Sequence, residues 1–150
     1  MHRVHRSIIV PHSQAQMFEL VRDVASYPQF LPWCPSAGVR PAADPGTVEA
    51  RVDIAYLGVR SHFTTRNEHQ APDWIRLSLL DGPFRDLRGT WHFAALGPDA
   101  CKVTLELEYH FSAGLLGRAV APVFEKVANS LIDAFAARAQ ALYGAGQGGL

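Results

Sequence analysis

The end of the chain constrains the rest. From Ser112 to Tyr143 an Ala-rich segment reads as one long helix, directly after a strongly alternating strand. Phe124, Val127, Leu131, Phe135, Arg138 and Leu142 recur at three- and four-residue steps, and all but Arg138 are apolar. Glu125, Asn129, Asp133 and Gln140 mark the opposite face. That is the 3.6-residue period of an amphipathic helix. At ~1.5 Å per residue, a helix of about thirty residues is roughly 45 Å long. Its apolar stripe needs a large partner surface, and the only candidate is a sheet formed by the middle of the chain. A long helix laid across a curved sheet often encloses a cavity. Function is therefore expected in an apolar interior rather than in a surface cluster of charges.

The middle of the chain supplies that sheet. Residues 2–10 alternate, with Val4, Ile8 and Val10 against Arg3, His5 and Ser7, and Pro11 ends the run. Ser13 with Gln16 is a capping-box pattern, and Met17, Leu20, Val21 and Val24 give the helix that follows a buried face. Pro28, Pro32 and Pro35 then exclude a long helix, while Tyr27, Phe30, Leu31 and Trp33 exclude a solvated linker. A short helical turn and an extended apolar loop are expected there. Residues 41–46 read as a turn. Strands follow at 47–57, 59–70, about 74–79, 84–96 and 101–111, separated by short turns that imply antiparallel pairing. Each strand has one apolar and one polar face, so one sheet face meets the helix and the other meets water. The predicted fold is α+β: a curved antiparallel sheet wrapped around a long C-terminal helix, one domain over residues 1–143. The chain of 150 residues is long enough for a real core. The Gly-rich residues 144–150 are expected to form a disordered tail.

Composition narrows the function classes. Fourteen basic residues match fourteen acidic ones, so the basic excess of a nucleic-acid binder is absent and DNA is not an expected partner. Cys34 and Cys101 are expected as reduced thiols of a cytosolic protein. The charged N-terminus lacks the apolar stretch of a secretory signal, and no run approaches the ~18 apolar residues of a membrane span. The expected location is cytoplasmic, at most peripheral to a membrane. His62, His92 and His110 fall on polar strand faces, and no H-E-x-x-H pattern occurs, so no metal site is expected. Glu106 and Glu108 share the wet face of the last strand, and Asp23, Asp81 and Asp86 lie near loops or helix ends. General acid–base work needs a sheltered group with a shifted pKa. None is legible, so no catalytic residue and no enzyme is expected.

Two strings connect the chain to a known family. The element order resembles the helix-grip fold of START-like lipid and polyketide binding domains. Val21 to Cys34, read V-R-D-V-A-S-Y-P-Q-F-L-P-W-C, resembles the first signature of the coenzyme Q-binding family, which includes the bacterial RatA-type proteins. Gly82 to Phe93, read G-P-F-R-D-L-R-G-T-W-H-F, resembles its second signature, with Arg85 where the family usually has Lys. The resemblance covers nearly the whole chain. It implies a non-enzymatic carrier or chaperone of ubiquinone that supports respiratory electron transfer. Ubiquinone or a similar isoprenoid would be the bound ligand, and the inner-membrane surface or respiratory complexes would be partners. Some members are instead toxins that bind the large ribosomal subunit and block subunit association. In that case Arg76, Arg85 and Arg88 would contact rRNA phosphates. Older names of relatives imply an oligoketide cyclase or dehydratase.

The residues themselves supply a candidate site. Phe30, Trp33, Tyr56, Phe63, Leu77 and Trp91 suit either a packed core or a cavity lining, and so do Phe93, Tyr109, Phe124 and Val127. Ligand pockets are mostly apolar with a few placed polar groups. Tyr56 and Tyr109 fit that polar role, since a buried phenol needs a partner and a quinone carbonyl accepts a hydrogen bond. Trp91 and Phe93 can stack on a quinone ring. A greasy, membrane-touching rim is expected from Leu31 with Leu115, Leu116, Val120 and Val123, beside the helix-weakening Pro122.

Overall fold

In the computed structural model the first strand pairs with the last. Residues 2–144 are described, apart from the side chains of residues 115 and 116; of the tail expected at 144–150, Gly144 ends a helical turn and residues 145–150 lie outside the described residues. β1 (His2–Val10) runs antiparallel to β7 (Ala100–Phe111), with Val4 opposite Leu107 and Val10 opposite Cys101. The other strands are β2 (Ala37–Pro41), β3 (Thr47–Tyr56), β4 (Val59–Gln70), β5 (Trp74–Asp81) and β6 (Phe84–Gly97). They complete one seven-stranded antiparallel sheet in the order β1-β7-β6-β5-β4-β3-β2. β2 was not expected. It is a short edge strand whose Val39 and Arg40 are exposed, so it carries no buried–exposed alternation to read.

α1 (Gln14–Arg22) begins where the capping box places it. The Ser13 hydroxyl accepts from the Gln16 N–H at 3.1 Å, and the Gln16 side chain accepts from the Ser13 N–H at 2.9 Å. A 3₁₀ segment, Val24–Gln29, follows and contains Pro28. The loop after it folds inward: the Leu31 N–H donates to the Tyr27 carbonyl and the Cys34 N–H to the Leu31 carbonyl.

α2 (Leu115–Ala139) is the long helix, shorter than the expected 112–143 and continued by a wider π-type turn over Gln140–Gly144. Its buried stripe is Val120, Val123, Phe124, Val127, Ile132 and Phe135. Leu142 falls outside it and is 49% exposed, because the wider turn shifts the helical phase past Ala139. Pro122 does not end the helix. It sits on the exposed face, and the Arg118 carbonyl it leaves without an N–H donor also lies on that side, where water can replace the bond. Arg6 reaches both carboxylate oxygens of Asp133, at 3.0 and 3.2 Å, and Arg138 donates to the Gln29 side chain at 3.0 Å. These contacts tie α2 to the sheet edge and to the 3₁₀ segment.

Two glycines of the second motif are steric requirements. A Cβ on Gly89 would lie 2.7 Å from the Glu106 carbonyl oxygen and 2.4 Å from a Leu107 methyl. Gly82 has φ +149°, and a Cβ there would lie 2.8 Å from that of Phe63. β6 therefore lies close against β7 in mid-strand, and the turn before β6 closes over β4.

Candidate functional site

Between α2 and the inner face of the sheet lies an apolar cavity. α2 contributes Phe124, Val127, Leu131 and Phe135. β3 gives Ala50 and Val52, β4 gives Phe63, Thr65 and Asn67, and β5 gives Ile75 and Leu77. Leu87 and Trp91 of β6 and Leu107 of β7 finish the sheet side. The first sequence motif forms the remaining wall, through Val21, Val24, Tyr27 and Trp33. About 70 Å³ of the cavity is reachable by the centre of a water molecule. One water needs only ~10–15 Å³ on that measure, so the space holds several.

Aromatic rings frame this space. Trp91 meets Phe135 edge to face at 5.2 Å, and Tyr27 meets Phe135 at 5.2 Å. Phe63 meets Phe124 at 5.9 Å. The Tyr27 hydroxyl donates to the Val21 carbonyl, so it is already used. Burial first, then the nearby Asp23 and Cys34, hold that phenol far above the ordinary tyrosine range, and it stays neutral. Besides the indole N–H groups of Trp33 and Trp91, the wall holds the polar side chains of Thr65 and Asn67. The Thr65 hydroxyl donates to Asn67 Oδ1 at 2.6 Å, and the two residues are 3% and 5% exposed.

Of the expected lining, Trp33, Phe63, Leu77, Trp91, Phe124 and Val127 come together here. Phe30, Tyr56, Phe93 and Tyr109 do not. Phe30 backs the wall, edge-on to Phe135 at 5.2 Å, with the Arg138 guanidinium over its ring. Phe93 is buried on the α1 side, 5.7 Å from Phe18. Tyr109 is buried between His2, stacked at 5.2 Å, and Phe124, edge-on at 4.9 Å. Tyr56 ends β3 and is 36% exposed. Alternation told the buried face of Tyr109 correctly, but the Phe124 ring of α2 packs against it, and Tyr56 lies at the exposed end of β3. The polar pair that does face the cavity, Thr65 and Asn67, was missed. The signal was present, since both share the β4 phase of Phe63.

The expected rim also changes. Leu31, Val120 and Val123 are 1%, 0% and 4% exposed and belong to the core. Leu31 is drawn in by the folded loop, and the two valines sit on the buried stripe of α2. The side chains of residues 115 and 116, the other expected rim leucines, lie outside the described residues. Among the described residues the exposed large apolar side chains are elsewhere, foremost Leu57 at the β3–β4 turn.

The outer sheet face carries interleaved charges. Glu108 pairs with Arg88 at 2.9 Å and Arg3 at 3.2 Å, Arg40 with Glu49 at 2.6 Å, and Arg51 with Asp53 at 2.9 Å. Arg76 lies over the Trp74 ring at 4.4 Å. His110 is 3.0 Å from Asp86, and its hydrogen bond is the main reason that carboxyl sits below the usual range. Among the described residues, no group of three or more His, Cys, Asp or Glu side chains converges as metal ligands do. Cys34 and Cys101 are both buried and free.

Residues 10–136 match the family model described as polyketide cyclase / dehydrase and lipid transport. The chain belongs to this family. Solved structures share its architecture: a START superfamily protein from Mycobacterium smegmatis superposes with TM-score 0.77 at 22% identity, covering 95% of this chain and 99% of that one. The Zhui aromatase/cyclase of Streptomyces superposes with TM-score 0.80 at 15% identity, covering 93% of each chain. The fold is the START-like helix grip that the sequence predicted. In sequence, the chain is 42% identical to the ribosome association toxin RatA of Vibrio cholerae, over 96% of this chain and 99% of that protein. It is 40% identical to the persistence and stress-resistance toxin PasT of Escherichia coli, over 97% and 91%. It is 25% identical to the mitochondrial coenzyme Q-binding protein COQ10 homolog B of Xenopus laevis, over 92% of this chain and 58% of that protein. The family thus includes the RatA-type and coenzyme Q-binding relatives to which the two motifs pointed, and its fold is one that binds hydrophobic ligands. Among the described residues, no helix is long and apolar enough to cross a membrane.

Proposed function

We propose that the chain binds ubiquinone or a similar isoprenoid in this cavity and acts as its carrier or chaperone in respiratory electron transfer. One observation carries the reading: a cavity walled by aromatic and aliphatic side chains, with a single hydrogen-bonded polar pair, lies between α2 and the sheet. Sites for small molecules are commonly ~300–1,000 Å³, larger than the space here. Binding therefore requires α2 to lift from the sheet, as a grip opens. The named relative that binds coenzyme Q supports the ligand class. The inner membrane is the source from which a cytoplasmic carrier would take such a ligand. No enzymatic step is proposed, because Tyr27 is the one ionisable group in the wall and its hydroxyl is spent on Val21. A cyclase or dehydratase needs an acid–base pair inside the cavity. The test is lipid extraction of protein purified from its own host, read by mass spectrometry. Co-purified quinone at near-stoichiometric amount is expected; protein free of any hydrophobic small molecule goes against the reading.

A second reading rests on the names of the relatives. Chains about two-fifths identical over nearly the full length are called ribosome association and persistence toxins. Binding the large ribosomal subunit would use the arginines of the outer surface. Arg88 is already paired with Glu108, and Arg76 is stacked on Trp74, so rRNA phosphates would have to compete for both. The two readings use different surfaces, and sedimentation with purified large subunits separates them.

A further inference from the structure

We propose that Thr65 and Asn67 anchor the buried end of the ligand, and that the cavity selects a neutral molecule with a carbonyl oxygen over a hydrocarbon or a carboxylate. This rests on the ligand-binding reading above. The two side chains hold three donor hydrogens, two on the Asn67 amide and one on the Thr65 hydroxyl. Among the described residues the Asn67 side chain makes one hydrogen bond, the one its Oδ1 accepts from Thr65 at 2.6 Å. The amide hydrogens are therefore left for whatever fills the cavity, whose wall includes this residue. The count does not depend on which way the amide faces. If the amide nitrogen faced Thr65, one amide hydrogen and the hydroxyl hydrogen would be left instead.

A buried donor without an acceptor costs about as much as a lost hydrogen bond, and burying it against hydrocarbon leaves that cost in place. A ligand oxygen removes it. A carboxylate would do so less well, since no Arg, Lys or His stands in the wall to balance its charge. A carbonyl oxygen on a flat, uncharged ring meets both conditions, and the rings of Trp91 and Phe63 in the same wall provide stacking surface. The pair also gives the ligand a direction, with the oxygenated end at β4. Thr65 serves as a positioning residue, holding the amide through its hydroxyl.

The test compares three probes of equal chain length: decylubiquinone, decylbenzene and decanoate. Binding is read by quenching or competition at Trp33 and Trp91, the tryptophans of the wall. The carbonyl stretch of bound decylubiquinone is read by infrared difference spectroscopy. In the native protein the stretch is expected at lower wavenumber than in hexane, and decanoate is expected to bind most weakly. In Asn67→Leu the shift is expected to shrink, since only the Thr65 hydroxyl is left to donate, and decylubiquinone affinity to fall about tenfold while decylbenzene affinity holds or rises. An unshifted carbonyl in the native protein contradicts the anchor even if Asn67→Leu does not fold. Asn67→Leu with native quinone affinity and an unchanged preference over decylbenzene also contradicts it, and leaves ligand binding standing. If no probe binds the native protein, the ligand-binding reading itself falls.

Discussion

The Trp91 indole and the Phe135 ring meet edge to face at 5.2 Å, joining the inner face of β6 to α2 across the cavity. Both rings also border the cavity. That is how a residue can be 4% exposed, as Trp91 is, and still line a cavity. The same contact is one of the fingers of the grip. If α2 lifts, Trp91 and Phe135 must separate.

Trp91→Ala therefore separates stability from binding. A fully packed buried aromatic costs ~3–5 kcal/mol on truncation. We expect a smaller loss by urea titration, because the indole already borders the cavity, with a drop of at least about tenfold in quinone affinity. Wild-type affinity in this variant goes against the site.

Gly89→Ala is expected to destabilise by ~1–3 kcal/mol, since the new methyl meets the Glu106 backbone as well as the movable Leu107 side chain. Ligand preference among folded molecules should not change. A neutral effect on the urea midpoint would show that β6 and β7 can part more easily than the close contact implies.

The fold and the site were unequally legible. The terminal helix, the capping box at Ser13 and the alternation of β7 named their elements directly, because each is a local pattern with one structural meaning. β2 carried no such pattern, as its pairing with β3 leaves most of it exposed. Within the site, alternation located Phe63, Leu77 and Trp91 on the inner face, but it could not tell which level of the sheet α2 covers. That level separates Trp91, in the wall, from Phe93 two residues on, which packs against Phe18. The rim failed for a related reason. Leu31, Val120 and Val123 are apolar whether they face lipid or core, and only the folded loop and the helix phase decide.

His69 gives a pH dependence. Its Nε2 is buried without a hydrogen-bond partner among the described residues. Burial first, then Arg22, lowers its pKa below 6.5, with Glu19 opposing. The folded chain thus binds fewer protons than the unfolded chain as pH falls. The stability from neutral His69 is present above the unfolded value and is lost progressively from about 6.5 down to the folded pKa. The urea midpoint should fall between about pH 7.5 and about pH 5.5, and fall less in His69→Gln. Equal falls in both proteins would assign the dependence to other groups.

Cys34 should be chemically quiet. Burial, then the charge of Asp53, pushes its thiol up to about 11, with backbone hydrogen bonding at Ser36 and Asp53 opposing. The thiolate is the reactive form. Iodoacetamide at neutral pH is expected to modify Cys34 slowly in the folded protein and rapidly in urea. Fast labelling of the native state would show that the loop carrying Cys34 opens readily.

Whether a quinone occupies the space beneath α2 is decided by methyl-resolved NMR. Decylubiquinone is titrated into labelled protein while the methyl groups of Val21, Leu77, Leu107, Val127 and Leu131 are followed, all of which line the cavity. We expect saturable shifts concentrated on these methyls, with little change at the exposed Leu57 and Ile9. Shifts confined to exposed methyls, or none at saturating quinone, would contradict it.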